Sequence, residues 1–453
     1  MHEREYQLLQ DTIERLVRRN ARGNLANILN KIHPADTAHL LHLLNERSAS
    51  TVFQTLPDNE TAAEVLSEMD PGFRTEFLQF VNIERLVDIL AEMADDDTAD
   101  LLTDLPDDLR DQILERMPDK DTEGVSRLLS HPESTAGRIM TTDFLALPES
   151  MRAGQAIQEV RKDSETEMVF YLYVVDEQNR LSGIISLRQL VTASPETLLS
   201  DIMATDVIKV HAATHQEEVA RMVSRYNLLA IPVVDLSEVL VGIITVDDVI
   251  DVLRMEATED ILKMVGTSVE EISSFSVWRS VRIRLPWLFV AWIGGVFAMK
   301  IIGGFEDHYK EQISLFTALA AFIPIIMGMG GNIGTQSLSI TVRGLATGRI
   351  DPSLLWRAVF KEIRIGLVLG IAYGILLTAV GWLLNKNLSL GLVVGIAMCA
   401  NMTLAAVVGT FLPLLAVKLK IDPAVASGPF VTTSIDILGI TIYFLTAYLL
   451  IVR

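Results

Sequence analysis

The chain has 453 residues, half of them hydrophobic, and a formal net charge of −20 from 38 Lys+Arg against 58 Asp+Glu. Acidic soluble proteins are seldom so apolar, and position resolves the conflict: residues 1–275 carry 51 acidic and 24 basic side chains, residues 276–453 only 7 and 14. An acidic first part excludes a nucleic-acid binder, and a single cysteine, Cys399, excludes a disulfide scaffold and a thiolate metal site.

The opening MHEREYQLLQDTIERL is charged and helical in spacing, not the apolar run of a signal peptide, so the first part is expected in the cytoplasm. Residues 1–130 are expected to form an acidic α-helical domain. HPADTAHLLHLL, NETAAEVLSEMDP, NIERLVDILAEM, DDDTADLLTDLP and DDLRDQILERMP share one pattern. An Asp or Asn opens each helix and caps its free N–H groups, a Leu/Ala face follows, and Pro closes several. The short repeat predicts a superhelix of stacked helix pairs. The run Asp95, Asp96, Asp97 and Asp100 is either a solvated face or part of an acidic site.

From residue 134 the pattern becomes mixed helix and strand. MVFYLYVVDEQNRLSGIISLRQLV holds two β-rich runs joined by a turn at Gln178–Asn179, then a helix. LLAIPVVDLSEVLVGIITVDDVI repeats it about 60 residues later. The two units, 134–197 and 200–256, resemble tandem α/β CBS domains. CBS pairs commonly bind adenine nucleotides, often through a Ser/Thr and an Asp three residues on. The second copy has Thr245 and Asp248; the first has Ser186 but Gln189, which cannot replace a carboxylate accepting from two ribose hydroxyls. Tyr171, Ser186, Arg188, Thr245 and Asp248 are the candidate ATP contacts.

A connecting helix is expected over 249–275. In VDDVIDVLRMEATEDILKMVG the acids Asp248, Asp251, Glu256, Glu259 and Asp260 are spaced too irregularly for one intrahelical site. They create a dense negative surface that would repel another acidic domain until a divalent cation bridged them.

Five apolar stretches follow, near 285–303, 313–341, 363–384, 388–416 and 424–451, each long enough to cross a ~30 Å hydrocarbon core. Arg279, Arg282 and Arg284 precede the first. Arg343, Arg349, Arg357, Lys361 and Arg364 lie between or flank the second and third, and Lys418 and Lys420 precede the fifth. The opposite loops hold mainly Lys310 and Lys386, which predicts N-terminus in and C-terminus out.

Polar residues inside the spans carry the chemistry. The second contains Pro324, Gly328, Gly330, Gly331 and Gly334 with Asn332 and Gln336. This is either loosened backbone whose carbonyls meet cations or a glycine packing face. In the fifth, Asp436 lies near mid-membrane without a basic partner at similar depth, behind Gly428, Pro429, Thr432 and Thr433. A carboxylate there costs several kcal/mol unless paired or hydrated. Oxygen ligands without a His or Cys cluster favour a hard cation such as Mg²⁺ or Ca²⁺.

The order of parts, with PIIMGMGGNIGTQS and DPAVASGPFVTTSID, resembles the MgtE family of bacterial Mg²⁺ channels over essentially the whole chain. The resemblance implies a homodimer in the bacterial inner membrane with its pore on the two-fold axis. Asp436 and Asn332 would meet a largely hydrated Mg²⁺, and Gly330, Gly331, Gly334, Gln336, Gly428, Pro429, Thr432 and Thr433 would line the path. It also implies closure by cytosolic Mg²⁺ through Glu64, Asp96, Asp100, Glu217, Asp248, Asp251, Glu256, Glu259 and Asp260, the connecting helix acting as a plug. Asn227 stands where the family can carry Asp, and Gly428 where other members can carry a larger polar residue. The alternatives are a carrier or exchanger of Mg²⁺, Co²⁺, Mn²⁺ or Ca²⁺ on the same scaffold, and a membrane-anchored nucleotide sensor. No nucleophile–base pairing or phosphate-cradling motif supports an enzyme.

Overall fold

The computed structural model describes residues 3–162, 170–272, 276–308, 313–425 and 428–452. It divides into two compact units, Met1–Met255 and Glu256–Arg453.

The first unit opens with the helices α1 (Glu3–Arg18), α2 (Arg22–Leu29), α3 (Pro34–Leu43), α4 (Glu46–Phe53), α5 (Asn59–Ser67), α6 (Pro71–Leu78), α7 (Ile83–Leu90), α8 (Asp95–Asp104), α9 (Asp107–Leu114) and α10 (Asp119–Leu129). Side-chain caps start several of them. The Thr61 N–H donates to Asp58 Oδ1 at 2.8 Å, and the Glu84 N–H to Asn82 Oδ1 at 2.8 Å. The expected acidic cap fails at α8 and α9, whose caps are Ala94 and Pro106, and at α3, capped by His33. Asp95, Asp96 and Asp97 therefore lie inside the first turn of α8. The helix dipole favours them there, and none is consumed as its cap.

Ile13, Leu41, Phe53, Leu66 and Ile89 are almost fully buried. Each contributes about 1.5–3 kcal/mol of burial free energy. Their core continues through Met140 into Val219, Val233, Ile244 and Val249, so the helical domain and the second α/β repeat share one apolar interior. Polar contacts fix the join: Thr142 Oγ1 donates to Asp95 Oδ2 at 2.8 Å, and Arg138 donates to Ala99 O at 3.3 Å and to Thr103 Oγ1.

The two repeats have the same topology. In the first, β1 (Ala146–Pro148) pairs parallel with β2 (Tyr171–Val175), which pairs antiparallel with β3 (Leu181–Ser186). In the second, β4 (Val210–His211), β5 (Ala230–Val234) and β6 (Leu240–Thr245) do likewise. Both β-hairpins turn where expected. Asp176 Oδ1 accepts from the Gln178 and Arg180 N–H groups, and Asp235 Oδ1 from those of Ser237 and Val239. The repeated glycine of each Gly-Ile-Ile strand has a packing reason. A Cβ at Gly183 would lie 2.6 Å from Met203 Sδ, and one at Gly242 the same distance from Met140 Sδ. The segment leading into each repeat thus lies on the other repeat's sheet.

The remaining helices of this unit are α11 (Ala136–Ile139), α12 (Ala153–Lys162), α13 (Leu187–Thr192), α14 (Leu199–Ile202) and α15 (Gln216–Tyr226). Asn227 ends α15 in the left-handed conformation, φ 53°. Asn tolerates that region better than most residues, which gives the residue at this position a structural role. The connecting helix α16 (Val246–Val265) starts in the first unit and ends in the second. It is shorter than expected: Gly266, at φ 78°, breaks it before α17 (Val269–Ile272).

In the second unit follow α18 (Val277–His308), α19 (Ile313–Ala320), α20 (Ile323–Ala346), α21 (Leu355–Asn385), α22 (Leu388–Lys418) and α23 (Gly428–Ala447). They supply five segments long and apolar enough to span a membrane, with α19 and α20 sharing one. Lys310 lies outside the described residues. α22 is the central helix. Gly366, Gly370, Gly374 and Gly381 of α21 let the backbones approach: a Cβ at Gly370 would lie 2.8 Å from the Cα of Cys399.

Candidate cation sites

Two groups of carboxylates stand apart from ordinary surface acids. The first joins the start of α8 to the start of α16. Burial raises Asp96 well above the usual carboxylate range, and the charges of Asp248 and Asp97 add to it. Asp96 Oδ1 is buried with no hydrogen-bond partner among the described residues. Burial also raises Asp97, to about 6, helped by Asp100, Asp247 and Glu68 and opposed by Arg74. Asp248 is raised by burial and by Asp247 and Asp97, against a lowering hydrogen bond from Thr245 Oγ1. Four carboxylates at two helix N-termini thus face one another. Among the described residues no three acidic, imidazole or thiol groups converge on one point at direct-ligand distance.

Only part of the sensor set meets here. Asp96 and Asp248 do. From the α5 segment it is Glu68, just past the helix's last residue, and not the exposed Glu64, whose field reaches Asp97. Asp100 belongs to an ion pair: the buried Arg74 reaches Asp100 and Asp104, each at 2.8 Å. Glu217 pairs with Arg221 at 3.3 Å and Asp251 with Arg254 at 3.5 Å. Glu256, Glu259 and Asp260 belong to the second unit. There Lys263 Nζ sits 2.6 Å from Glu259 and 2.8 Å from Asp422. Burial opposes its charge, but the two carboxylates hold Lys263 above its ordinary value. Arg74 had one sequence signal: it interrupts the apolar face Phe73, Phe77, Leu78 of α6.

The candidate nucleotide contacts fall into two sets. Tyr171 lies opposite Ser186 across β2–β3, with the exposed Arg188 beyond. Ser186 and Gln189 satisfy each other in a capping box: the Ser186 N–H donates to Gln189 Oε1 at 2.9 Å, and the Gln189 N–H to Ser186 Oγ at 3.2 Å. In the second repeat Thr245 is bonded to Asp248.

The second carboxylate group is Asp436 alone. It is half-buried on α23 and makes no hydrogen bond or ion pair with a described residue. Its neighbour Ile435 packs on Gly330 and Gly334 of α20. On the other side of α20, Gly328 and Gly331 have open space beside them, and Asn332 and Gln336 are exposed. The glycines therefore divide: Gly330 and Gly334 pack against helices, while Gly331 borders the polar face.

The expected loosening of the backbone is absent. α20 is helical throughout the glycines, and the break comes earlier, at Ala321–Phe322, with Pro324 in the first turn of the new helix. Pro429 likewise sits at the second residue of α23, where no intrahelical hydrogen bond is lost. Thr432 Oγ1 donates back to Gly428 O at 2.8 Å. Thr433 lies against Gly294 of α18, so it faces a neighbouring helix. A Cβ at Gly428 would lie 2.7 Å from Met264 O, which leaves no room for a larger side chain without a shift of α16.

Comparison with known proteins follows these parts. The profile of the MgtE intracellular N domain matches residues 32–134, that of the CBS domain 136–196 and 199–255, and that of MgtE, described as a divalent cation transporter, 323–446. The magnesium transporter MgtE of Thermus thermophilus is 38% identical over 436 residues, 94% of this chain and 95% of that protein. The magnesium transporter MgtE of Bacillus subtilis is 35% identical over 419 residues, 92% of each. A solved cytosolic domain of the Mg²⁺ channel MgtE in complex with ATP is 35% identical. It covers 54% of this chain and 99% of that chain, with a TM-score of 0.52. The domain order, the five apolar helices and relatives aligned over nearly their whole length establish a multi-pass membrane protein, and the chain belongs to the MgtE family.

Proposed function

We infer that this chain transports Mg²⁺ as a homodimeric channel of the bacterial cytoplasmic membrane, its N-terminus inside and its C-terminus outside. One observation carries the reading: at membrane depth α20 exposes Asn332 and Gln336, and α23 holds a carboxylate, Asp436, with no partner among the described residues. Polar side chains facing lipid are costly. A second copy across a two-fold axis would cover this face and enclose a wet path between paired Asp436 and Asn332 side chains. Mg²⁺ sheds water reluctantly, so a carboxylate acting through hydration water suits it. Gly331, Gln336, Gly428, Pro429 and Thr432 border the same path.

Cytosolic Mg²⁺ then serves as effector as well as cargo. It neutralises the Asp96–Asp97–Asp248 group and bridges it towards the remaining acids of α16, and this stabilises the closed state. Glu259 plays a different part from the one first expected. Lys263 joins it to Asp422, ahead of the ion-bearing helix, so this junction carries its own cation. Such a partly exposed pair contributes about 1 kcal/mol or less. Lys263→Ala should therefore raise the Mg²⁺ concentration needed for closure by up to about fivefold, and Lys263→Arg should retain the parent value. ATP, which the related cytosolic domain holds in its complex, would act here through the Thr245–Asp248 side of the second repeat.

The decisive experiment is patch recording of the reconstituted protein while Mg²⁺ on the cytosolic side is varied. Single-channel Mg²⁺ currents that close as Mg²⁺ rises are expected. Saturating transport that requires a counter-ion gradient would replace the channel by a carrier.

A further inference from the structure

Among the polar side chains that the second unit buries, Asn401 and Glu362 hold α20 to its two neighbours and are not used by ion conduction through Asp436. Asn401 of α22 is 1% exposed, and its Nδ2 donates to Ile326 O of α20 at 2.8 Å. Glu362 of α21 is 6% exposed, and its Oε2 accepts from Ser337 Oγ of α20 at 2.8 Å. Ser337 is itself 3% exposed, and its carbonyl accepts from Thr341 Oγ1 at 2.7 Å. Both partners lie on α20, eleven residues or about 16 Å apart along its axis. Asn332 and Gln336 lie between them.

The rest of the α20 interface explains why these bonds matter. Gly330 and Gly334 meet Ile435 and Asn401, and Gly409 of α22 lies directly against the Gly334 backbone. A face of glycines allows close approach, but it has no knobs to resist rotation or sliding. Hydrogen bonds are directional and fail within a small angular change. Asn401 is also enclosed on both sides: a Cβ at Gly330 would lie 2.6 Å from its Nδ2, and Gly439 of α23 leaves room for its Oδ1.

We propose that Asn401 and Glu362 are positioning residues for ion passage: bonded to α20 on either side of the Asn332–Gln336 turn, at Ile326 and Ser337, they fix the rotation of α20 and aim that turn into the path. This rests on the reading of that turn as part of the path. Neither residue touches the ion; they act through Ile326 and Ser337.

The test uses the full-length protein in proteoliposomes. Mg²⁺ flux and the Mg²⁺/Ca²⁺ flux ratio are measured per folded molecule, counted by size exclusion. Asn401→Leu, Glu362→Met and Ser337→Ala each remove one bond at similar volume. Each should lower the ratio by about fivefold, the equivalent of one hydrogen bond. Glu362→Gln keeps an acceptor for Ser337 and should restore the parent ratio. Asn332→Ala is the control for the underlying reading. If it shifts the ratio while all three bond-removing variants keep the parent value, the positioning role is overturned and the path stands. If Asn332→Ala also keeps the parent value, the assignment of that turn to the path falls, and this inference with it. If Glu362→Met does not fold, Ser337→Ala against Glu362→Gln decides the same point.

Discussion

Asp436→Ala should abolish Mg²⁺ uptake while leaving the protein folded. The carboxylate is the one acidic group of α23, and no described residue donates to it or pairs with it. A side chain in that position does not hold the fold together; it costs stability until water or a cation solvates it. The variant should therefore be no less stable than the parent. Its Mg²⁺ flux should fall by roughly 100-fold or more, since losing a charged partner in a confined site costs about 3 kcal/mol or more. The measurements are Mg²⁺-dependent growth of cells lacking other importers and flux into proteoliposomes, with size exclusion to confirm the assembly. Uptake at the parent level would remove Asp436 from the path.

Asp436 was legible in the sequence because a charge inside a long apolar run has no cheap explanation. The five spans were legible for the same reason of hydropathy, and the paired α/β repeats from their spacing and shared Gly-Ile-Ile strands. Glu362 was not legible. It lies between Lys361 and Arg364, so it looks like a membrane-surface charge, and only the fold turns it inward against Ser337. Asn401 sits in a helix whose residues are apolar all round its axis, so no amphipathic pattern in the sequence singles out its buried face. Of the α20 glycines, Gly330 and Gly334 turn out to be a packing face against Ile435 and Gly409, the second of the two readings that the sequence left open. The sensor acids divided for an electrostatic reason. A list of carboxylates shows charge but not which basic group meets it, so the pairing of Arg74 with Asp100 and of Lys263 with Glu259 appears only once the helices are placed.

The acids left over after that division make the other large prediction. Asp97 is raised to about 6, and Asp96 and Asp248 are also raised, in each case by burial first; the nearest carboxylate charges, Asp100 for Asp97, Asp248 for Asp96 and Asp247 for Asp248, add to it. The folded first unit therefore binds protons more tightly than the unfolded chain. The contribution of these three groups to its stability falls as pH rises from about 4 to about 7 and stays lost at pH 8. For Asp97 alone that cost is about 3 kcal/mol. Asp97→Asn should raise Tm of residues 1–255 at pH 8 without Mg²⁺ by roughly 5–10 °C, and pairing it with Asp248→Asn should raise it further. On the proposed reading, Mg²⁺ would relieve the same repulsion without changing the sequence. It should stabilise the parent strongly at pH 8 and weakly at pH 5.5, where protons already occupy the carboxylates, and its binding should release protons. The double variant should respond little at either pH. Calorimetric melting at the two pH values, with and without Mg²⁺, gives all four comparisons. A double variant that is less stable than the parent at pH 8, or equal stabilisation of both proteins by Mg²⁺, would remove this group from Mg²⁺ sensing. The expected result would place the unfavourable charge energy of the first unit where α8 meets α16 and, on the proposed reading, make it the quantity that Mg²⁺ binding on the cytosolic side relieves.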